Sequence, residues 1–206
     1  MKDFSIAMAL VDYIPVCFFG VAAFILMRDL YNKMNKIAFA LFSSGTINVF
    51  AAGFLKATYK LLYAANICDF EALNAMFFPV QSIGFLLAGC GMIAMFTCKK
   101  KIKAFSVAPA LYSGTFLFVG LMVAGLGCMD AGLCILSKKL KQPKAIILFV
   151  FSFFASLCMG YLSSRDFAQA SMNWIAEGVN VVGQGLLLLG VLMLHNTGLA
   201  EMDVEK

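Results

Sequence analysis

Apolar runs of membrane-crossing length dominate this chain, and the polar positions that interrupt them carry the information. The last run, Asn173 to His195, reads NWIAEGVNVVGQGLLLLGVLMLH. It is long enough to cross a bilayer as a helix, which takes about 20 residues. Its first half is punctuated by Asn173, Glu177, Asn180 and Gln184, at steps of four, three and four. That spacing places all four on one helical face. Hydrocarbon offers these side chains no hydrogen bonds, so the stripe has to face protein or water. The pattern predicts that this helix forms one wall of a polar space inside the membrane.

The earlier runs follow in order. Span one is expected from Phe4 to Met27, with Asp12, Tyr13 and Pro15 in its first half, and a basic loop of Arg28, Lys33 and Lys36 after it. Span two runs from Ile37 to Tyr63 and holds Ser43, Ser44, Thr46, Asn48 and Lys56; Lys60, near its end, is placed to snorkel outward. An acidic loop carries Asp69 and Glu71. Span three, Leu73 to Thr97, contains Asn74, Pro79, Gln81 and Ser82, and a basic run occupies 99–103. Ala104 to Leu136 is then one unbroken apolar stretch, followed by SKKLKQPK from Ser137. Read as one helix it gives six spans; read as two short helices turning near Val119-Gly120 it gives seven. Cytoplasmic loops concentrate Lys and Arg. Only seven spans, with the N-terminus outside, bring the clusters at 28–36, 99–103 and 138–144 to the same side. Span six follows from Ala145 to Leu162, and the tail EMDVEK reads as solvated and mobile.

Composition agrees. The 206 residues are 62% hydrophobic and 13% charged, with a mean hydropathy of +0.90, whereas a soluble domain is about half apolar and about a quarter charged. The expected class is an all-α integral membrane protein, multi-pass, with seven transmembrane helices and its C-terminus inside. Residues 1–206 then form a single membrane domain with no separate soluble part, and the expected location is the plasma membrane of a prokaryote. The net charge of +5 sits in loop clusters that read as topology signals, so nucleic acid is not an expected partner. The seven cysteines form no C-x-x-C pair and have no histidine at metal-ligand spacing. Neither a disulfide framework nor a metal or other cofactor is expected. The opening MKDFS and the apolar run after it read as a retained first span rather than a cleaved leader.

An internal repeat is also legible. With Asn74 set on Asn173, Val80 falls on Val179, Gln81 on Asn180, Gly84 on Gly183, Leu87 on Leu186 and Gly91 on Gly190. Spans two and six match through Lys36 with Lys144 and Gly53-x-Leu55 with Gly160-x-Leu162. This predicts one three-helix unit over 4–98, a linker helix over 99–120 and a second unit over 121–196. Parallel repeats of this kind place a substrate site near the midplane between the halves. In this respect the chain resembles the SWEET sugar transporters and the wider PQ-loop group. Their N-x-x-G-x-x-L pattern stands here as Asn180-x-x-Gly183-x-x-Leu186 and, with Gln, as Gln81-x-x-Gly84-x-x-Leu87. The resemblance implies that Asn180 and Gln81 face a solute. The chain departs from that group in lacking a Pro-Gln pair, since Ile14-Pro15-Val16 has no Gln, and its one tryptophan is Trp174.

No nucleophile, metal or phosphate-loop signature is present, and the one histidine, His195, lies at a helix end where head groups or the helix dipole account for it. A membrane enzyme of lipid metabolism therefore ranks last, and the expectation is that the chain is not an enzyme. What remains is a set of intramembrane polar residues. Asn48, Gln81, Asn173, Trp174, Glu177, Asn180 and Gln184 are the candidate solute-binding residues. Asp12, Lys56 and Asp130 are the candidates for ion pairing or proton coupling, Asp12 pairing with Lys56. Two readings stay open: a transporter or facilitator of a small polar or amphipathic solute, or a seven-span receptor that binds a ligand without moving it. The solute and the lipid bilayer are the expected partners, and self-association into a homo-oligomer is left open.

Overall fold

The computed structural model describes residues 5–97, 115–162 and 170–202. Among these there are eight helices: α1 (Ile6–Val11), α2 (Tyr13–Leu30), α3 (Lys36–Ala64), α4 (Glu71–Ala75), α5 (Phe77–Thr97), α6 (Thr115–Lys139), α7 (Pro143–Leu162) and α8 (Ala170–Asn196). Five stretches are long and apolar enough to cross a membrane: Ile6–Leu30, Lys36–Ala64, Glu71–Thr97, Leu117–Lys139 and Ser171–Asn196; Pro143–Met159 is a shorter apolar helix. Large apolar side chains such as Phe24, Ile47, Phe54, Phe151, Val182 and Leu189 are exposed on these helices, as lipid contact requires. This is an integral membrane protein.

Two of the crossings are interrupted for the same reason. The first breaks at Asp12 and the third at Met76, in each case three residues before a proline. Pro15 and Pro79 have no N–H to donate to the carbonyls of Val11 and Ala75, so the hydrogen-bond ladder fails at the preceding turn. Caps set other boundaries. The Asn35 side chain accepts from the Ala38 N–H at 2.8 Å at the start of α3, and Pro143 occupies the first position of α7, where a missing N–H costs nothing. The end of α8 departs from expectation, because the tail turns back. Gly198, at φ +88°, takes the left-handed conformation that ends a helix. Leu199, fully buried, then donates to the Leu194 carbonyl at 3.0 Å. Lys33 reaches the Met202 carbonyl as well, so the described part of the tail is docked; 203–206 lie outside the described residues.

The spanning helices form a closed ring. α2 packs on α3, α3 on α5, α5 on α6, α6 on α7, α7 on α8, and α8 returns to α2. Four seams are antiparallel: Gly45 meets Gly84 and Ala88 while Gly91 meets Ala38 and Phe42, Gly53 meets Val16 while Gly20 meets Phe50, Gly190 meets Phe149 while Gly183 meets Ala155, and α6 and α7 are joined by a short turn. The other two are parallel. Along α5 and α6, Phe85 meets Gly125, Gly89 meets Cys128 and Met92 meets Gly132, in ascending order. Along α2 and α8, Phe18 meets Gly185 and Asp29 meets His195.

Three corrections follow. The turn expected near Val119-Gly120 does not form, because α6 is one helix from Thr115 to Lys139; neither residue supplies polar turn chemistry. The expected break between a linker helix and a second unit at 120–121 accordingly falls inside that helix, and the rest of the linker, 99–114, lies outside the described residues. The tail, as described above, is not wholly solvated. The run directions place Arg28, Lys33, Lys36, Lys138, Lys139, Lys141 and Lys144 at one end of the ring, with the acidic Asp69 and Glu71 at the other.

Candidate functional site

The ring is packed in one half and hollow in the other. Toward the basic end its interior is filled by Leu26, Leu30, Phe42, Met92, Leu133 and Phe149 and their neighbours in one continuous apolar core. Toward the opposite end a partly open cavity of about 170 Å³ lies between the helices. All six described segments of the ring contribute to its wall: Asp12, Pro15 and Phe19 from the first, Val49, Lys56 and Lys60 from α3, Phe77, Gln81 and Phe85 from α5, Met122 and Leu126 from α6, Ser156 and Met159 from α7, and Asn173, Glu177, Asn180 and Gln184 from α8.

The stripe on α8 thus has its space: all four of its polar side chains line the cavity. Gln81 reaches it from α5, one ring position removed from α6. Asn48 and Trp174 do not line the cavity. Asn48 is half-buried at an adjoining position of α3, and Trp174 points outward with 45% exposure. Asp130 is buried in α6, below the floor set by Leu126, and neither of its carboxylate oxygens has a hydrogen-bond partner.

The ionic partners differ from expectation. Asp12 pairs with Lys60, not with Lys56. Lys60 lies one turn further along α3 on the same face as Lys56, and its flexible stem lets it turn inward to the acid rather than outward to the head groups. Lys56 instead holds its ammonium over the Phe77 ring, 3.8 Å from the centroid, and 5.7 Å from that of Phe78. The ring faces carry the negative part of the aromatic quadrupole and stabilise the cation there. Glu177 sits against Asp12, within electrostatic reach of Lys60 and Lys56, and its Oε1 is buried without a hydrogen-bond partner. Two carboxyl and two ammonium groups therefore converge on one small space. The sequence pattern missed Lys60 and the Phe77-Phe78 pair as contributors. The i, i+4 spacing of Lys56 and Lys60 was the available signal for the first.

A second polar cluster closes the other end, outside the cavity. His195 Nδ1 lies 2.8 Å from the buried Asp29 Oδ2, and the Arg28 guanidinium reaches both His195, at 2.9 Å, and Asp29, at 3.1 Å. This ties the ends of α2 and α8 together beneath the apolar core. His195 is thus engaged with Asp29 and Arg28. Ser152 links the α7–α8 seam by donating to the Gly183 carbonyl at 2.9 Å. Among the described residues no group of three or more His, Cys, Asp or Glu could hold a metal ion.

No protein-family model, no curated protein and no solved structure matches the chain.

Proposed function

We propose that this chain is a seven-span transporter or facilitator of a small polar or amphipathic solute, with its site in the cavity between two three-helix units. The observation that carries the reading is the asymmetry of the ring: a polar, ion-lined hollow in one half and a dry core with an ionic tie in the other. A carrier that exposes its site to one side at a time needs such a half-open state.

Three features support the two-unit plan. α2, α3 and α5 run down, up and down, and α6, α7 and α8 repeat that order. Burial recurs at one constant spacing: Phe19 with Leu126, Ala22 with Met129, Leu26 with Leu133, Leu30 with Ser137. The glycines aligned in the sequence occupy matching seams, Gly84 on Gly45 and Gly183 beside Ser152, Gly91 on Phe42 and Gly190 on Phe149. Because α5 and α6 run the same way, α5 ends and α6 begins at opposite faces, which an odd number of crossings satisfies. The seventh crossing of this proposal falls in 98–114, outside the described residues. The plan resembles the SWEET and PQ-loop arrangement in which Asn180 and Gln81 would meet the solute. The basic end is assigned to the cytoplasm by its charge.

Two measurements test the reading. Single cysteines at Lys138, Lys141 and Lys33, in a background without native thiols, should all label only from the cytoplasmic side; labelling of the 138 and 141 positions from outside removes the seven-span topology. Reconstituted protein should catalyse solute counterflow, and Asn180→Ala should lower its rate at least tenfold, since a lost buried hydrogen bond to ligand is worth roughly that factor. Saturable binding with no flux would assign the chain to the receptors instead.

A further inference from the structure

We infer that the cavity takes a zwitterion: a small molecule carrying one carboxylate and one ammonium group, of the α-amino acid type. The inference rests on the cavity being the solute site, but not on flux through it.

Asp12 and Lys60 neutralise one another across α1–α3. That leaves the Lys56 ammonium and the Glu177 carboxyl, which also sits against Asp12. Among the described residues Lys56 has no carboxylate within ion-pair distance, and aromatic faces support its ammonium. Glu177 has a buried, unpartnered Oε1. Both line the same small hollow, from α3 and α8 respectively. A ligand bearing a single charge would satisfy one of them and leave the other desolvated, which is unfavourable in a low-dielectric space. A neutral polyol would satisfy neither. A zwitterion places its carboxylate at Lys56 and its ammonium at Glu177, with both contacts charge-assisted. A further acceptor lies two turns from Glu177 on the same helical face. Gln184 Oε1 is buried and unpartnered, and it can take another N–H of the ammonium. The floor formed by Phe19, Phe85, Met122 and Leu126 is apolar and suits a hydrocarbon side chain better than a second polar group.

The test uses the full chain in lipid nanodiscs, with binding read by ligand-induced thermal shift and titration. The probes are L-alanine and L-leucine. Each is set against partners lacking one charge (propionate and ethylamine, 4-methylpentanoate and isopentylamine) and against glucose. At least one zwitterion should bind at least tenfold more tightly than both of its one-charge analogues. Lys56→Gln should weaken that zwitterion at least tenfold while leaving the amine analogue unchanged, and Glu177→Gln should do the reverse with the carboxylate analogue. The wild-type comparison needs no variant, so a folding defect in either leaves the test intact. No zwitterion binding to folded protein, equal binding of a one-charge analogue, or preferential binding of glucose overturns the inference. Zwitterion binding without counterflow upholds it and overturns the transport reading; counterflow of glucose alone does the opposite.

Discussion

Replacing Gly125 by valine should prevent the helical ring from closing. A Cβ at this position would lie 2.4 Å from the Leu86 nitrogen and the Phe85 carbonyl carbon, and 2.5 Å from the Phe85 oxygen. On the other side of the seam, a Cβ at Gly89 would lie 2.4 Å from the Gly125 oxygen. These neighbours are backbone atoms, so no side chain can swing aside and α5 and α6 must part. Overpacking that side chains can absorb costs about 1–3 kcal/mol; with backbone in the way the expected loss is at least about 3 kcal/mol. Membrane helices gain nothing from expelling water against lipid and depend on close contact between small residues, so a widened seam is not compensated. The same opening would separate Phe85 from Met122 and Leu126 and undo the cavity floor. Gly120→Ala and Gly178→Ala are the controls. A Cβ at either position meets nothing within 4 Å, and alanine favours the helix by about 0.5–1 kcal/mol. Thermal unfolding in detergent separates the cases. A Gly125→Val protein that melts with the Gly120→Ala control would show that α5 and α6 do not touch here.

Lys60→Met should be nearly as damaging, through charge rather than volume. Asp12 is buried, and among the described residues its ionic partner is Lys60. Removing the ammonium leaves Asp12 against Glu177, with Lys56 held over the Phe77 ring. Breaking a buried pair from one side costs about 3–5 kcal/mol, because the surviving charge stays desolvated. Adding Asp12→Asn should recover most of that loss, since a pair replaced on both sides is often close to neutral. The double-mutant cycle read by thermal unfolding should therefore show strong coupling. If Lys60→Met alone leaves the melting temperature unchanged, the pair is solvated and the cavity is wider at that end than described.

The same physics explains how much of this was readable in advance. Helix existence followed from apolar runs, and the α8 stripe followed from its spacing, because periodicity and burial are linked along a single helix. The break at Asp12 was marked in the sequence by Pro15, four residues after the carbonyl it orphans, and Met76 stands in the same relation to Pro79. Pairing was less legible. Asp12 pairs with Lys60 rather than with Lys56, one turn earlier on α3, and the positions of Phe77 and Phe78 on a third helix place the rings under Lys56. Asn48 and Gln81 are both mid-span amides, yet a difference in helix rotation puts Gln81 in the wall and Asn48 beside it. Spacing within one helix does not encode its rotation against two neighbours.

By itself the sequence determined that the chain lives in a bilayer, which of its helix faces are polar, and where glycines permit close approach, since these depend on each segment's own solvation and sterics. The tertiary structure alone decided that α5 and α6 run side by side in the same direction, that one half of the ring is filled while the other is hollow, and that Lys56 and Glu177 both line the hollow. Those outcomes depend on how six helices divide their contacts around a closed circuit, a global packing problem that no single segment's pattern contains.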